Sequence, residues 1–229
     1  MSDSYSGVGS LTDLGIIAAR CTDCGLAGGR TNVVFGSGSG AADVLIVGEA
    51  PGQQEDEQGL PFVGRSGQLL ETLLNEIQLE RDDVYIANVV KCRPPGNRDP
   101  RPDEIDSCKP YLRRQIELID PKVVVTLGNF STKLLLRTST GITRMRGTVY
   151  EWWGRYLVPT FHPAAALRGG ERVTDEIRVD LQLVRAILDG KTSNGIPAMN
   201  PSQPAPPDPS PSPQPPDLEQ LGLFGETRR

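Results

Sequence analysis

Three short runs of apolar, mostly β-branched residues punctuate the first half of the chain: 43–48 (DVLIVG), 84–90 and 122–127. Runs of that length without polar alternation are the pattern of strands buried on both faces of a parallel sheet. Between the first two, Leu69, Leu70, Leu73, Leu74 and Ile77 recur at helical spacing, which predicts a helix over 66–79 with Ser66 as its cap. Residues 102–119 open on a proline followed by acidic residues, a helix-start signature. Residues 129–137 and 173–188 read as further helices and 156–160 as one more strand. Such alternation implies a three-layer α/β domain with a mainly parallel sheet, in which ligands sit at the carboxyl ends of strands.

Beyond Gly190 the pattern stops. Residues 195–216 hold ten prolines among Ser, Gln, Asn and Asp, too little apolar surface to offset the entropy of ordering. The division expected is therefore a globular domain over 1–190, an extended proline-rich linker over 191–216 and a terminal peptide over 217–229. That peptide regains hydrophobics in Leu218, Leu221, Leu223 and Phe224.

No apolar run approaches the roughly eighteen residues of a membrane span. The start, Met1 to Gly9, is polar and lacks the basic-then-apolar pattern of a signal peptide. A cytosolic setting is expected, where thiols stay reduced, so the four cysteines read as metal ligands before disulfides. The net charge of −5 argues weakly against nucleic acid, but it is unevenly spread. Residues 91–114 carry seven basic against four acidic side chains, and residues 137–172 carry six arginines against Glu151 and Glu171. Phosphate binding needs a local basic surface rather than a basic protein.

Three polar motifs begin where strands are expected to end. The first is Gly48-Glu49-Ala50-Pro51-Gly52, then Glu55 and Asp56, then Gly59-Leu60-Pro61-Phe62-Val63-Gly64. A Gly/Pro-rich turn after a buried strand lets backbone approach a ligand closely and exposes its amides. Neither a P-loop sequence nor a dinucleotide fingerprint is present, and the carboxylates would repel phosphate. Glu49 suits a group that orients water or offsets a developing cation. Phe62, taken alone, reads as core packing.

The second motif opens on Asn88 and runs through Lys91, Cys92 and Arg93 to Arg98. An asparagine side chain offers a base edge both a donor and an acceptor, with a strand-end turn former as the plain alternative. The third, His162-Pro163-Ala164-Ala165-Ala166-Leu167-Arg168, carries the only histidine of the chain. Leu167 and Arg168 suit a pair in which an apolar residue enters a base stack beside a cation. The cysteines, Cys21-x2-Cys24, Cys92 and Cys108, do not match a zinc finger made of two close pairs. Their spacing leaves zinc and iron–sulfur both open.

Together the stretches GEAPGQQEDEQGLPFVGRSG (48–67), NVVKCRPPGNRDPRPDEIDSC (88–108) and HPAAALR (162–168) closely resemble the family 4 uracil-DNA glycosylases. The resemblance spans about residues 21–188. It implies the uracil-glycosylase α/β/α fold and a [4Fe–4S] cluster on Cys21, Cys24, Cys92 and Cys108. It also implies hydrolysis of the N-glycosidic bond of deoxyuridine in DNA, leaving an abasic site for base excision repair. Phe62 would then stack on the uracil ring rather than fill the core. Gly48, Glu49 and Ala50 would line the pocket, Asn88 would read the uracil edge, and Glu55 would sit where a 5-methyl group would clash. His162 would hydrogen-bond the uracil O2. Glycosidic cleavage builds positive charge on the sugar and negative charge on the departing base. His162 is accordingly the expected leaving-group donor and Glu49 the expected water-positioning carboxylate. Other glycosylases place an aspartate one residue further along, where this chain has Ala50, so the division of labour among the carboxylates is open. Hydrolysis moves no electrons, so the cluster is expected to be structural, with Cys92 about 13 Å beyond Asn88 along one extended run.

Two other readings compete. A related class traps DNA covalently through a histidine in an inserted basic loop, but PPGNRDPRP here has no histidine. A non-catalytic iron–sulfur module would retain DNA without making abasic sites. In the tail, Gln220-Leu221-Gly222-Leu223-Phe224 resembles the Gln-Leu-x-Leu-Phe motif by which bacterial repair proteins bind the sliding clamp. The alternative for Gln220, Leu221, Leu223 and Phe224 is packing back on the domain. The expectation is a monomeric bacterial enzyme that acts on uracil-containing DNA and docks on the clamp through this peptide.

Overall fold

In the computed structural model, residues 5–191 and the backbone of residues 198–199 are described. The apolar runs become strands β2 (Val44–Gly48), β3 (Val84–Asn88) and β4 (Val123–Leu127), each buried along its whole length. With β6 (Arg155–Thr160) they form a parallel core in the order β3-β2-β4-β6. A short β1 (Ser37–Gly38) runs antiparallel to β3 at one edge. At the other edge β5 (Val149–Trp152) runs antiparallel to β6, and β7 (Ala198–Met199) pairs parallel with β5. That last pairing falls inside the stretch expected to be an extended linker.

The two-residue period of the strands sends alternate side chains into two cores. Leu45, Val47, Ala87 and Val124 meet Leu14 of α1 (Leu11–Ala19) and Tyr111, Leu112 and Ile116 of α4 (Pro102–Ile119). Val44, Ile46, Ile86 and Val125 meet Leu70, Leu73 and Leu74 of α3 (Arg65–Glu76) and Ile177 and Leu181 of α8 (Glu171–Leu188). The result is the expected three-layer α/β/α architecture. The remaining helices are α2 (Gln53–Gln58), α5 (Gly128–Leu136), α6 (Ile142–Met145) and α7 (Pro163–Gly169). Among the described residues, no helix is long and apolar enough to cross a membrane.

Two local expectations are corrected. Helix α3 has Gly64 as its N-cap, which leaves Ser66 inside the first turn rather than at the cap. Strand β3 ends at Asn88, and the chain beyond it bends instead of running extended to Cys92. The cause is the backbone: Val89 N and Val90 N donate to Gly48 O and Glu49 O, at 3.0 and 3.1 Å, and fold the chain over the end of β2.

A buried carboxylate ties the sheet end to α8. Asp180, fully buried, accepts from Thr160 Oγ1 at 2.6 Å and from Arg146 Nε and Nη2 at 3.0 Å each. Arg146 also stacks its guanidinium over Phe161, 5.5 Å from the ring centroid. The segment leading from β6 into His162 is thereby anchored from two sides.

Candidate active site

Gly48 and Asn88 are register partners at the carboxyl ends of β2 and β3. A Cβ on Gly48 would stand 2.3 Å from Asn88 Oδ1 and 2.7 Å from Phe62 Cζ, so only glycine fits there. Asn88 is 1 % exposed, and its buried Oδ1 accepts no hydrogen bond from the described residues. An unmatched buried acceptor costs about 1–3 kcal/mol, which a ligand N–H would relieve. Phe62 is buried and its ring faces His162, with centroids 5.6 Å apart and planes 30° apart.

His162 is the N-cap of α7, and its Nδ1 accepts from Ala164 N at 3.1 Å. Because the backbone amide donates, the neutral ring must carry its proton on Nε2, leaving that N–H free to serve as a donor. Burial, aided by the nearby Arg168 charge and opposed by Glu55, lowers its pKa to about 4. Near neutral pH the imidazole is therefore uncharged, with a defined tautomer.

The carboxylates of the first motif divide by their partners. Glu55 Oε1 accepts from Val63 N and Gly64 N, at 3.0 and 2.9 Å, so it braces the loop that carries Phe62. Asp56, buried, accepts from Thr31 N at 2.9 Å and holds the 30–32 segment. Glu49 makes no side-chain hydrogen bond to the described residues and is half-buried. Burial, and then the charge of Asp99, raises its pKa to about 7. Asp99 was not singled out in the sequence; its only signal is an acid inside a basic loop. That loop is pinned to α4 by Arg98, whose guanidinium grips Glu104 at 2.5 and 2.9 Å, and by Arg101 N on Glu104 at 2.8 Å. Ala50 sits beside Glu49, half-buried against the α4-side core.

Leu167, 43 % exposed, and Arg168 lie in the last turn of α7, and Arg168 is near enough to His162 to act on its charge. The tail residues Gln220, Leu221, Leu223 and Phe224 lie outside the described residues.

The four thiols gather elsewhere, on the α1–α4 side. Cys21, Cys24, Cys92 and Cys108 are all unbridged and line one partly open cavity, together with Arg30, Lys91 and Tyr111. Burial pushes the Cys108 thiol up to about 11 and also raises Cys92. Lys91 N donates to Cys108 Sγ at 3.2 Å, and Arg30 Nη1 donates to Cys92 Sγ at 3.4 Å. Lys91 also joins the two sites: its buried ammonium donates to Asn88 O at 2.8 Å and to Gln115 Oε1.

A family model described as the uracil DNA glycosylase superfamily matches residues 35–182. A type-4 uracil-DNA glycosylase of Sulfurisphaera tokodaii is 51 % identical over 156 residues, covering 64 % of this chain and 71 % of that protein. That of Saccharolobus solfataricus is 49 % identical over 181 residues, covering 75 % of this chain and 83 % of its own length. That of Thermotoga maritima is 48 % identical over 151 residues, covering 65 % and 79 %.

Proposed function

The chain belongs to the uracil-DNA glycosylase superfamily and, within it, to the type-4 enzymes, and on that premise we propose that it hydrolyses the N-glycosidic bond of deoxyuridine in DNA. The observation that carries this reading is the buried Asn88 Oδ1, without a partner among the described residues, beside Gly48 and the Phe62 ring that in turn faces His162. An extruded uracil offers what such a pocket lacks. Its N3–H matches the Asn88 acceptor, and its flat ring matches Phe62. Extrusion from the duplex exposes both the base edge and the glycosidic bond, and the exposed Leu167 followed by Arg168, on the helix that His162 caps, suits the wedge and phosphate contacts that assist it.

Bond cleavage leaves negative charge on the uracil and positive charge on the sugar. The neutral His162, with Nδ1 engaged, turns an Nε2–H donor toward the departing base and stabilises the charge at O2 as it forms. Glu49, in its ionised form, orients water and offsets the sugar cation. Glu55 combines two tasks: its carboxylate braces the Phe62 loop, and its position excludes a 5-methyl group. Ala50 supplies no carboxylate, so Glu49 carries alone what an aspartate does one residue further on in other glycosylases.

The four cysteines fit a [4Fe–4S] cluster. Burial disfavours free thiolates in their cavity, and a cationic metal group supplies the missing charge, while Lys91 N and Arg30 donate to two of the sulfurs. Cys21 and Cys24 after α1, Cys92 in the post-β3 bend and Cys108 on α4 would hold the cluster, which would tie these segments together, a structural contribution with no redox step in the hydrolysis. In the tail, Gln220, Leu221, Leu223 and Phe224 suit a cleft rim and apolar pockets of the bacterial sliding clamp, a reading that rests on sequence.

The unmodified protein should release uracil from uracil-containing DNA without added metal. His162→Ala should slow release by at least about tenfold and up to ~10³-fold. Because the Glu49 carboxylate forms only above a pKa near 7, kcat/KM should climb through neutral pH and level off above it; Glu49→Gln should erase that limb. Retention of DNA without abasic sites, or a His162→Ala variant of unchanged rate, would contradict the assignment.

Purified protein should contain about four iron atoms per chain, and Cys108→Ala should lose iron and melt at lower temperature together. One zinc and no iron would defeat the cluster. A peptide of residues 217–229 should bind the clamp in calorimetry, and absence of heat would remove the docking proposal.

A further inference from the structure

Phe62 carries a backbone conformation that its side chain does not favour. Its φ is +51°, in the left-handed region that bulky residues rarely adopt. The neighbouring helix approaches this backbone closely: a Cβ on Gly67 would stand 1.9 Å from Phe62 O, so only glycine fits there. Two charged side chains hold the loop from opposite ends. On the amide side Glu55 takes Val63 N and Gly64 N. On the carbonyl side Arg81 Nη1 donates to Phe62 O at 3.1 Å and Arg81 Nη2 donates to Pro61 O. Three consecutive peptide groups, 61–62, 62–63 and 63–64, are thus fixed by one guanidinium and one carboxylate, each bond charge-assisted.

We propose that Arg81 is a positioning residue for base binding: by bridging the carbonyls of Pro61 and Phe62 it holds Phe62 in the left-handed conformation that presents its ring to the pocket beside His162. This rests on the reading of Phe62 as the residue that stacks on uracil. Arg81 itself lies just before β3, and its side-chain hydrogen bonds go to these two carbonyls, not to the pocket. Arginine is the residue type the task requires, because a planar fork can span two adjacent acceptors and a lysine ammonium acts as a single point. The ring contact exists both in the bound substrate and in the transition state. Losing its alignment therefore weakens binding more than the chemical step.

The test uses the full chain and compares Arg81→Met, Arg81→Lys, Phe62→Ala and the Arg81→Met/Phe62→Ala double variant. KM on a uracil-containing duplex and inhibition by free uracil are measured beside kcat and melting temperature. The expected result for Arg81→Met is KM and the uracil inhibition constant both raised about tenfold, with kcat changed by less than about threefold. Arg81→Lys should recover only part of that binding, and it carries the comparison should Arg81→Met fail to fold. In the double variant, Arg81→Met should add nothing to the binding defect of Phe62→Ala, because the group it positions is gone. A purely structural Arg81 would lower the melting temperature and leave KM and uracil inhibition unchanged, or multiply the Phe62→Ala defect; either outcome overturns the proposal. Absence of uracil release by the unmodified chain would overturn the functional reading and this proposal with it, whereas normal release with unchanged binding in the Arg81 variants overturns this proposal alone.

Discussion

The pocket depends on one close approach: the backbone of Gly48 lies so near the Asn88 side chain and the Phe62 ring that no Cβ fits between them. The parallel pairing of β2 with β3 brings the two strand ends level, and the amides of Val89 and Val90 lock onto Gly48 O and Glu49 O. This geometry buries an amide oxygen without a partner among the described residues, a state the rest of the domain must support. Support comes from outside the pocket. The Lys91 ammonium fixes the Asn88 carbonyl, Glu55 and Arg81 grip the Phe62 loop, and Asp180 anchors the strand that delivers His162.

The same constraint sorts the ionisable groups. Carboxylates that meet amides or arginines, such as Glu55, Asp56, Glu104 and Asp180, are committed to holding loops and strands. Glu49 meets neither, and its raised pKa reflects burial beside another acid. The pKa of His162 moves the other way, downward, under burial and Arg168, so burial favours the neutral form of both groups. An acid of elevated pKa and a histidine of depressed pKa in one pocket form a pairing suited to a bond whose cleavage separates charge.

Much of this was legible in the sequence, for identifiable reasons. Strands buried on both faces read as unbroken apolar runs, so β2, β3 and β4 were found with boundaries close to the observed ones. The strand-end rule located Gly48, Asn88 and His162, and the structure brings them together. What escaped was non-local. Asp99 acts on Glu49 only because Arg98 and Glu104 fold its loop back, and Arg81 matters only through carbonyls nineteen and twenty residues away. The antiparallel β5 carries an exposed Glu151 within an apolar run, and α7 hides in a motif legible as a loop because Pro163 opens it. The bend after Asn88 replaced the expected extended run because the amides of Val89 and Val90 had carbonyls of the neighbouring strand end within reach.

If the close approach at Gly48 is the foundation of base binding, adding one methyl group there should be enough to close the pocket. Uracil release by Gly48→Ala, measured beside its thermal unfolding, is the direct test. The account predicts a folded protein whose release falls by at least ~10²-fold, because the new Cβ displaces Asn88 Oδ1 and the Phe62 ring from the positions the base needs. A Gly48→Ala protein that excises uracil at the original rate would contradict it.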